Sequence, residues 1–262
     1  MNISIAIPTY NSSQYLSKNF HKFKKLNNLK EVVLVDDRSN DYHIQKLLDL
    51  KSKFDDSYKI KIILNEQNLG GFSNKYKAVS NCSEDIVYQI DSDNLISDGT
   101  IELLNSELFL NSIKDDELYL PSKIMLFKRN YQNIRFFWKE KIFSNINLQI
   151  DAELLKKELF RPTSLIENNS LGYLLNLGNP IVKKDSYLDK LKEGLENTNK
   201  IGAACSIAMC YYWFKNHGSI LLNNDFSHHH RLREDSYWIE NKNAASANYE
   251  EYLNKIKTLN NE

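Results

Sequence analysis

The chain has 262 residues, 42% of them hydrophobic and 26% charged, with 34 basic side chains against 34 acidic ones. That gives room for one large domain or two small ones of ordinary globular composition, and excludes a disordered or collagen-like chain. A formal net charge of zero supplies no general basic field, so nucleic acid is not an expected partner. Cys82, Cys205 and Cys210 are too few for a disulfide framework and lack metal-site spacing. They read as buried thiols in a reducing compartment. No apolar run approaches the length of a membrane span, and Met1 to Pro8 enters a strand pattern without a charged leader. The expected location is the cytoplasm.

In chain order, Ile3, Ile5 and Ile7 alternate with Ser4 and Ala6, a strand expected to stop at Pro8. Thr9 to Ser13 supplies turn formers and a cap, and Tyr15, Leu16, Asn19, Phe20, Phe23 and Leu26 then share one helical face. Glu31 to Val35 reads as a buried parallel strand ending in Asp36-Asp37-Arg38-Ser39. A helix through Ile44, Leu47 and Leu48 follows, then a strand at Lys59 to Leu64. The loop Asn68-Leu69-Gly70-Gly71 opens a helix carrying Phe72, Tyr76 and Val79, and Ile86 to Ile90 is the fourth strand. This alternation predicts a parallel sheet covered by helices on both faces.

The fourth strand runs into Asp91-Ser92-Asp93. In extended backbone Asp91 and Asp93 can point the same way. Two hard oxygen donors there suit Mg²⁺ or Mn²⁺ that substrate phosphates also bind. With 17 aspartates in 262 residues, about one Asp-x-Asp is expected by chance, so the spacing alone decides nothing. The weight comes from position: Pro8 to Asn11, Asp36 to Ser39, Asn68 to Gly71 and Asp91 to Asp93 all fall at the carboxyl edge, where ligands of such sheets sit.

Beyond residue 100 the reading is looser. Asp98-Gly99-Thr100 is expected to cap a helix through Ile101, Leu104 and Leu108. Leu118 to Leu120 and Ile124 to Phe127 are short strand candidates. Arg135 to Phe143 is aromatic and basic, read as a strand face or core, with membrane contact or sugar stacking as the competing readings. Helices are expected at Lys183 to Leu195 and Cys205 to Phe214, the latter ended by a His217-Gly218 cap. Tyr249, Tyr252, Leu253, Ile256 and Leu259 mark a last amphipathic helix packed on the body.

With those clusters in order, the sequence resembles the family 2 glycosyltransferases, enzymes of the GT-A type. The motifs are Pro8-Thr9-Tyr10-Asn11, Asp36-Asp37-Arg38-Ser39, Asn68-Leu69-Gly70-Gly71 with Lys75, and Asp91-Ser92-Asp93. Gly178-Asn179-Pro180 and His229-His230-Arg231 with Asp235-Ser236-Tyr237-Trp238 resemble later motifs of the family. The resemblance implies an α/β, Rossmann-like GT-A fold: a mostly parallel central sheet flanked by helices, with a C-terminal helical tail. One catalytic domain would span 1–232, with a nucleotide-sugar-binding half over 1–110 and an acceptor-side half over 111–232, and the tail would be 233–262.

The resemblance also implies a nucleotide-sugar site built from Pro8, Thr9, Tyr10, Asn11, Asp36, Asp37, Asn68, Gly70, Lys75, Asp91, Ser92 and Asp93. Tyr10 would contact the base, and Asp37 would accept from the uracil N–H. Lys75 would sit near the diphosphate. Asp93 would be a direct ligand of Mn²⁺ or Mg²⁺, with Asp91 toward the ribose or a metal-bound water. His230 would approach the metal or diphosphate from the C-terminal side. Each group also has a plainer reading: Asp36, Asp37 and Gly70-Gly71 as turn formers, and His228 to His230 as a solvated loop.

The implied activity is metal-dependent, inverting transfer of a sugar from a nucleoside-diphosphate donor, UDP first among the bases. The acceptor would be a hydroxyl of a glycan or lipid-linked acceptor in surface polysaccharide or lipopolysaccharide synthesis, with the enzyme cytoplasmic or peripheral at the inner membrane face. Asp91 and Asp93 would be catalytic. Ser206 stands where the family has the Asp or Glu that deprotonates the acceptor, and a serine without a base beside it cannot do that at neutral pH. Glu193 and Glu196 lie upstream, with Glu196 taken as the candidate base. Two other classes stay open: a nucleotidyltransferase, although Thr9 to Ser13 lacks a glycine- and arginine-rich phosphate loop, and an inactive relative that binds nucleotide sugar or glycan in a larger complex.

Overall fold

The computed structural model describes residues 1–129, 136–142, 147–160, 179–197, 201–202, 204–233 and 242–259. Four strands and three helices build the first half: β1 (Ile3–Thr9), α1 (Ser17–Phe23), β2 (Leu29–Asp36), α2 (Asp41–Phe54), β3 (Lys59–Leu64), α3 (Gly70–Ser80) and β4 (Ile86–Gln89). β1 pairs in parallel with both β2 and β4, and β2 with β3, giving the order β3-β2-β1-β4.

Side chains alternate across these strands, so each strand feeds two cores. Ile3, Ile5 and Ile7 of β1 join Val32 and Leu34 of β2 and Tyr88 of β4 beneath α1 and α2. Ala6, Val33, Val35 and Val87 face the other way, onto Phe72, Ala78 and Val79 of α3. Both faces are covered, which is why these strands read as continuous apolar runs.

The first strand does not stop at Pro8. Pairing with β4 ends at Ala6–Gln89, while pairing with β2 continues through Pro8–Val35 to Thr9–Asp36. The amide hydrogen that proline lacks would point to the side β4 has already left, so no ladder bond is lost there.

After the short strand β5 (Leu95–Ile96), the expected helix through Leu108 is two helices, α4 (Asp98–Leu104) and α5 (Glu107–Ser112). Ser97, not Asp98, caps α4 by accepting from the Thr100 N–H at 3.0 Å. Ser106 caps α5, and Leu108 is left exposed. The two expected short strands merge into β6 (Glu117–Arg129), paired with β7 (Phe136–Ile142). The aromatic-basic stretch is thus strand over 136–142, while Arg135 and Phe143 lie outside the described residues.

The second half adds β8 (Leu148–Ile150), α6 (Ala152–Phe160), β9 (Ile181–Lys183), α7 (Lys184–Leu191) with a 3₁₀ turn to Asn197, and α8 (Cys205–Lys215). Then come β10 (Ser219–Arg231), which sequence periodicity does not reveal, and α9 (Lys242–Lys257). Strand order continues as β4-β9-β6-β10-β5, with β7 against β6 and β8 against β10. β9 is antiparallel to β4, but the long β6–β10 pairing is parallel. α9 packs as expected, burying Tyr252 and Ile256 in the core that holds Trp213 of α8.

The turn ending α8 is the expected cap, with the His217 N–H donating to the Phe214 carbonyl at 3.1 Å and the Gly218 N–H to the Trp213 carbonyl at 2.9 Å. His217 takes the left-handed conformation at φ 59°, and Gly218 is required for space, since a Cβ there would stand 2.4 Å from the Trp213 indole nitrogen. No helix among the described residues is long and apolar enough to cross a membrane.

Glu31 ties the sheet together, accepting from the Ser4 hydroxyl on β1 at 2.9 Å and from the Ser83 N–H before β4. Burial acts to raise its pKa, but these donors outweigh it and hold the carboxyl below its ordinary 4.5. A pKa depressed by folding contributes stability above the unfolded value, which is lost as pH falls through the folded one. Glu31→Gln is expected to lose roughly 1–3 kcal/mol at neutral pH. Urea titrations should show that deficit shrinking below about pH 4; a deficit independent of pH would contradict the role.

Candidate active site

β1 has β2 on one side and β4 on the other, so chain direction around the sheet reverses beside it. Parallel sheets open a crevice at such a switch point. A cleft of about 430 Å³ lies there, lined from the turn after β1 by Pro8, Thr9, Tyr10, Asn11, Ser12 and Gln14. Asp37, Asn40 and His43 line it from the β2–α2 side, Asn68, Gly70, Gly71, Asn74 and Lys75 from the start of α3, and Asp91, Ser92, Asp93 and Arg233 close it. The sequence clusters therefore meet in space. Tyr10 is exposed on the rim, and Ser12 Oγ lies 2.6 Å from Ser92 Oγ, tying the turn after β1 to the turn after β4.

The two aspartates after β2 have different tasks. Asp36 is fully buried behind the cleft, accepting from Thr9 Oγ1 at 2.8 Å and from the Ser39 hydroxyl and N–H at 2.6 and 2.8 Å. It braces the loops instead of lining the cleft. Asp37 accepts from the backbone N–H groups of Leu69 and Gly70 at 2.7 and 2.9 Å and from Asn65 Nδ2 at 2.9 Å. Its carboxylate thus shapes the glycine loop. Gly70 is left-handed at φ +80°, and Gly71 lets the loop approach Cys205 of α8.

Asp91 and Asp93 each have a cation. Lys75 Nζ is 2.9 Å from Asp91 Oδ1, and Arg233 Nη1 is 3.2 Å from Asp93 Oδ2. Burial works against the Lys75 charge, but Asp91 more than compensates and raises its pKa, so it remains a cation. Burial raises the Asp91 pKa, with Lys75 opposing that only in part and Asp93 adding to it. Asn179, from the expected glycine-asparagine segment, braces this turn by accepting from the Asp91 N–H at 2.7 Å. Gly178 lies outside the described residues.

His230, near the end of β10, sits close enough to both aspartates to feel their charge, yet loss of hydration dominates and lowers its pKa. That shift favours the neutral imidazole, the form that binds metals. His229 belongs to the β10–β5 ladder, opposite Leu95, so these residues are strand and not a solvated loop. The side chain of His228 and residues Asp235, Ser236, Tyr237 and Trp238 lie outside the description.

Among the described residues, no three of His, Cys, Asp or Glu gather closely enough to hold a metal alone. The donor set, two carboxylates on one turn, fits instead a divalent cation whose remaining oxygens come from substrate phosphates and water. Glu196 is exposed on the 3₁₀ turn after α7 and does not line the cleft. Glu193 is engaged by Lys215 at 2.5 and 2.7 Å. Ser206 is buried near the start of α8.

Sequence reasoning missed Arg233, His43, Asn74 and Ser12. Arg233 was signalled by an unpaired acidic cluster needing cations. His43 was hidden in the first turn of α2, where Asn40 caps the helix and Ser13 Oγ meets its Nδ1 at 2.9 Å.

Asp37→Asn is expected to free the glycine loop by weakening its two backbone bonds, with a loss of roughly 1–3 kcal/mol. Hydrogen exchange should show faster exchange at the Leu69 and Gly70 amides. Unchanged protection there would contradict the bracing role.

Comparison with known proteins follows the same lines. Residues 4–111 match the model described as glycosyl transferase family 2. The crystal structure of S. aureus TarS 1–349 in complex with UDP-GlcNAc superposes with a TM-score of 0.61 at 19% identity, over 98% of this chain and 65% of that one. The complex of the same segment with UDP gives 0.58 at 17%, over 98% and 70%. GalNAc-T7 with UDP, GalNAc and Mn²⁺ gives 0.58 at 15%, over 96% and 50%. The chain spans only 44% of a longer TarS chain. No curated protein matches it. At such identities the structures establish a GT-A fold, and the match to the glycosyl transferase family 2 model covers residues 4–111, less than half of the chain.

Proposed function

We propose that this chain is an inverting glycosyltransferase that takes a UDP-sugar and transfers the sugar to a hydroxyl of a glycan or lipid-linked acceptor in surface polysaccharide or lipopolysaccharide synthesis. The observation that carries the reading is the switch-point cleft, where two carboxylates and two cations, Asp91 with Lys75 and Asp93 with Arg233, face the space beside Tyr10. TarS and GalNAc-T7, whose complexes hold UDP, UDP-GlcNAc or GalNAc, share the fold and support the donor class.

In this reading the exposed Tyr10 ring stacks on the base, and the backbone of Asn11 and Asn68 borders it. Asp37 acts on the donor chiefly by holding the glycine loop; any base N–H would share a carboxylate already accepting three bonds. Lys75 faces the diphosphate. Asp93 would hold Mn²⁺ or Mg²⁺, with Asp91 and His230 beside it. When bound, the ion would stabilise the charge that builds on the departing phosphate oxygen.

Transfer requires the acceptor oxygen to bond to the anomeric carbon as the carbon–phosphate-oxygen bond breaks, with the acceptor proton going to a base. Of the two carboxylates before α8, Glu193 is committed to Lys215, leaving Glu196 of that pair for this task. It stands on an exposed turn, so its use requires the turn to fold over the cleft.

A second reading is favoured by buried Ser206: a relative that binds the donor without turning it over. One experiment separates the two. Thermal-shift measurements should show UDP raising the melting temperature with Mn²⁺ present and not in Asp93→Ala. Release of UDP from a UDP-sugar panel should be lost in the same variant and fall at least about 100-fold in Glu196→Gln. UDP stabilisation without turnover would select the second reading, and no stabilisation in folded protein would overturn both.

A further inference from the structure

A second cavity, of about 630 Å³, lies behind the glycine loop and shares no lining residue with the cleft. The loop is the wall between them. Asn68, Gly70 and Gly71 line the cleft, whereas Gln67 and Leu69 line the second cavity, to which Arg38 from the turn after β2 and Lys77 from α3 bring two cations. Arg38 is exposed and left-handed at φ 66°, a strained conformation for a long side chain. Bonds on either side hold it there: the Asp37 N–H donates to the Thr9 carbonyl at 2.9 Å, and the Ser39 N–H to Asp36 Oδ2 at 2.8 Å. Its guanidinium has no hydrogen-bond or ion-pair partner among the described residues. Lys77 Nζ donates to Asn65 Oδ1 at 2.7 Å, and Asn65 Nδ2 donates in turn to Asp37 Oδ1 at 2.9 Å. Since Asp37 holds the Leu69 and Gly70 N–H groups, a hydrogen-bonded chain joins Lys77 to the glycine loop. Glu66, the carboxylate in the lining, forms no ion pair with either cation.

We propose that Arg38 and Lys77 form a second anion site, for a phosphate group, whose occupancy stiffens the glycine loop from behind. Two cations that no carboxylate neutralises give the cavity a local positive potential in a chain of zero net charge. A guanidinium offers a planar fork of donors and an ammonium offers three, and both suit phosphate oxygens. Lys77 spends one donor on Asn65, so it can hold that partner and an anion together. A phosphate bridging the pair fastens the turn after β2 to α3. The glycine loop enters α3 and is tied by Asp37 to that same turn, so it is held at both anchors. Bound anion favours the closed loop, and by linkage its local opening becomes rarer.

The test is a titration of the full chain with inorganic phosphate at constant ionic strength, followed by amide NMR and hydrogen exchange. Saturable shifts are expected at Arg38, Leu69 and Lys77. With phosphate at about ten times its dissociation constant, exchange at the Leu69 and Gly70 amides should slow about tenfold. Arg38→Gln and Lys77→Gln should each weaken phosphate binding at least about tenfold. Dimethyl phosphate separates the sources: binding weaker than that of inorganic phosphate assigns the site to a free or terminal phosphate, and tighter binding to a phosphodiester chain. Shifts that sodium chloride reproduces, shifts confined to the Lys75 and Asp91 amides, or wild-type affinity in both variants overturn the proposal. So does phosphate that binds without slowing exchange. Should Lys77→Gln not fold, Arg38→Gln decides alone, since Arg38 is exposed. The titration contains no nucleotide, so a negative result leaves the donor reading standing, and UDP that fails to bind leaves this site standing.

Discussion

Everything at the site depends on β1 being paired in parallel on both flanks. That pairing forces the chain to leave β1 at the carboxyl edge between two other strand ends, and it brings the turns after β1, β2 and β4 and the start of α3 within reach of one cleft. The same pairing buries both faces of the strands, so the loops at their ends carry the polar side chains. The site is therefore a consequence of topology first and of individual residues second.

Within the cleft, polar side chains are spent on two separate tasks. Asp36, Asn65, Asn74 and Asn179 fix the loops through hydrogen bonds to backbone and to each other. Lys75 and Arg233 instead pair directly with Asp91 and Asp93 at the wall of the cleft. Buried ion pairs contribute little net stability, because desolvation offsets their attraction. Their place beside the cleft fits a site whose charges are meant to be redistributed when an anion arrives.

The first half of the fold was legible because β1, β2 and β4 are buried on both sides, and such strands must be apolar throughout. Every cleft residue taken from that half lines the cleft, except Asp36. Its exclusion could not be read from sequence: Asp36 and Asp37 are adjacent, and only strand alternation at the end of β2 sends one inward and the other to the glycine loop. The second half was harder for a physical reason. β10 contains Asn223-Asn224-Asp225, polar residues at a shift in its register against β6, and a histidine run beyond it. A strand whose polar side chains serve neighbouring loops carries no clean alternation. The split at Asn105 depends on tertiary neighbours that a local pattern does not contain, since its side chain accepts from the Asn27 N–H and donates to the Lys25 carbonyl.

The central claim is that this cleft receives a nucleoside diphosphate with its phosphates at the Asp91–Asp93 turn. A crystal structure of the protein grown with UDP and Mn²⁺ tests it most directly. The donor reading predicts uracil beside Tyr10, the diphosphate in contact with Lys75, and Mn²⁺ on Asp93. UDP bound elsewhere on the molecule, or a cleft that excludes it at saturating concentration, would contradict that claim.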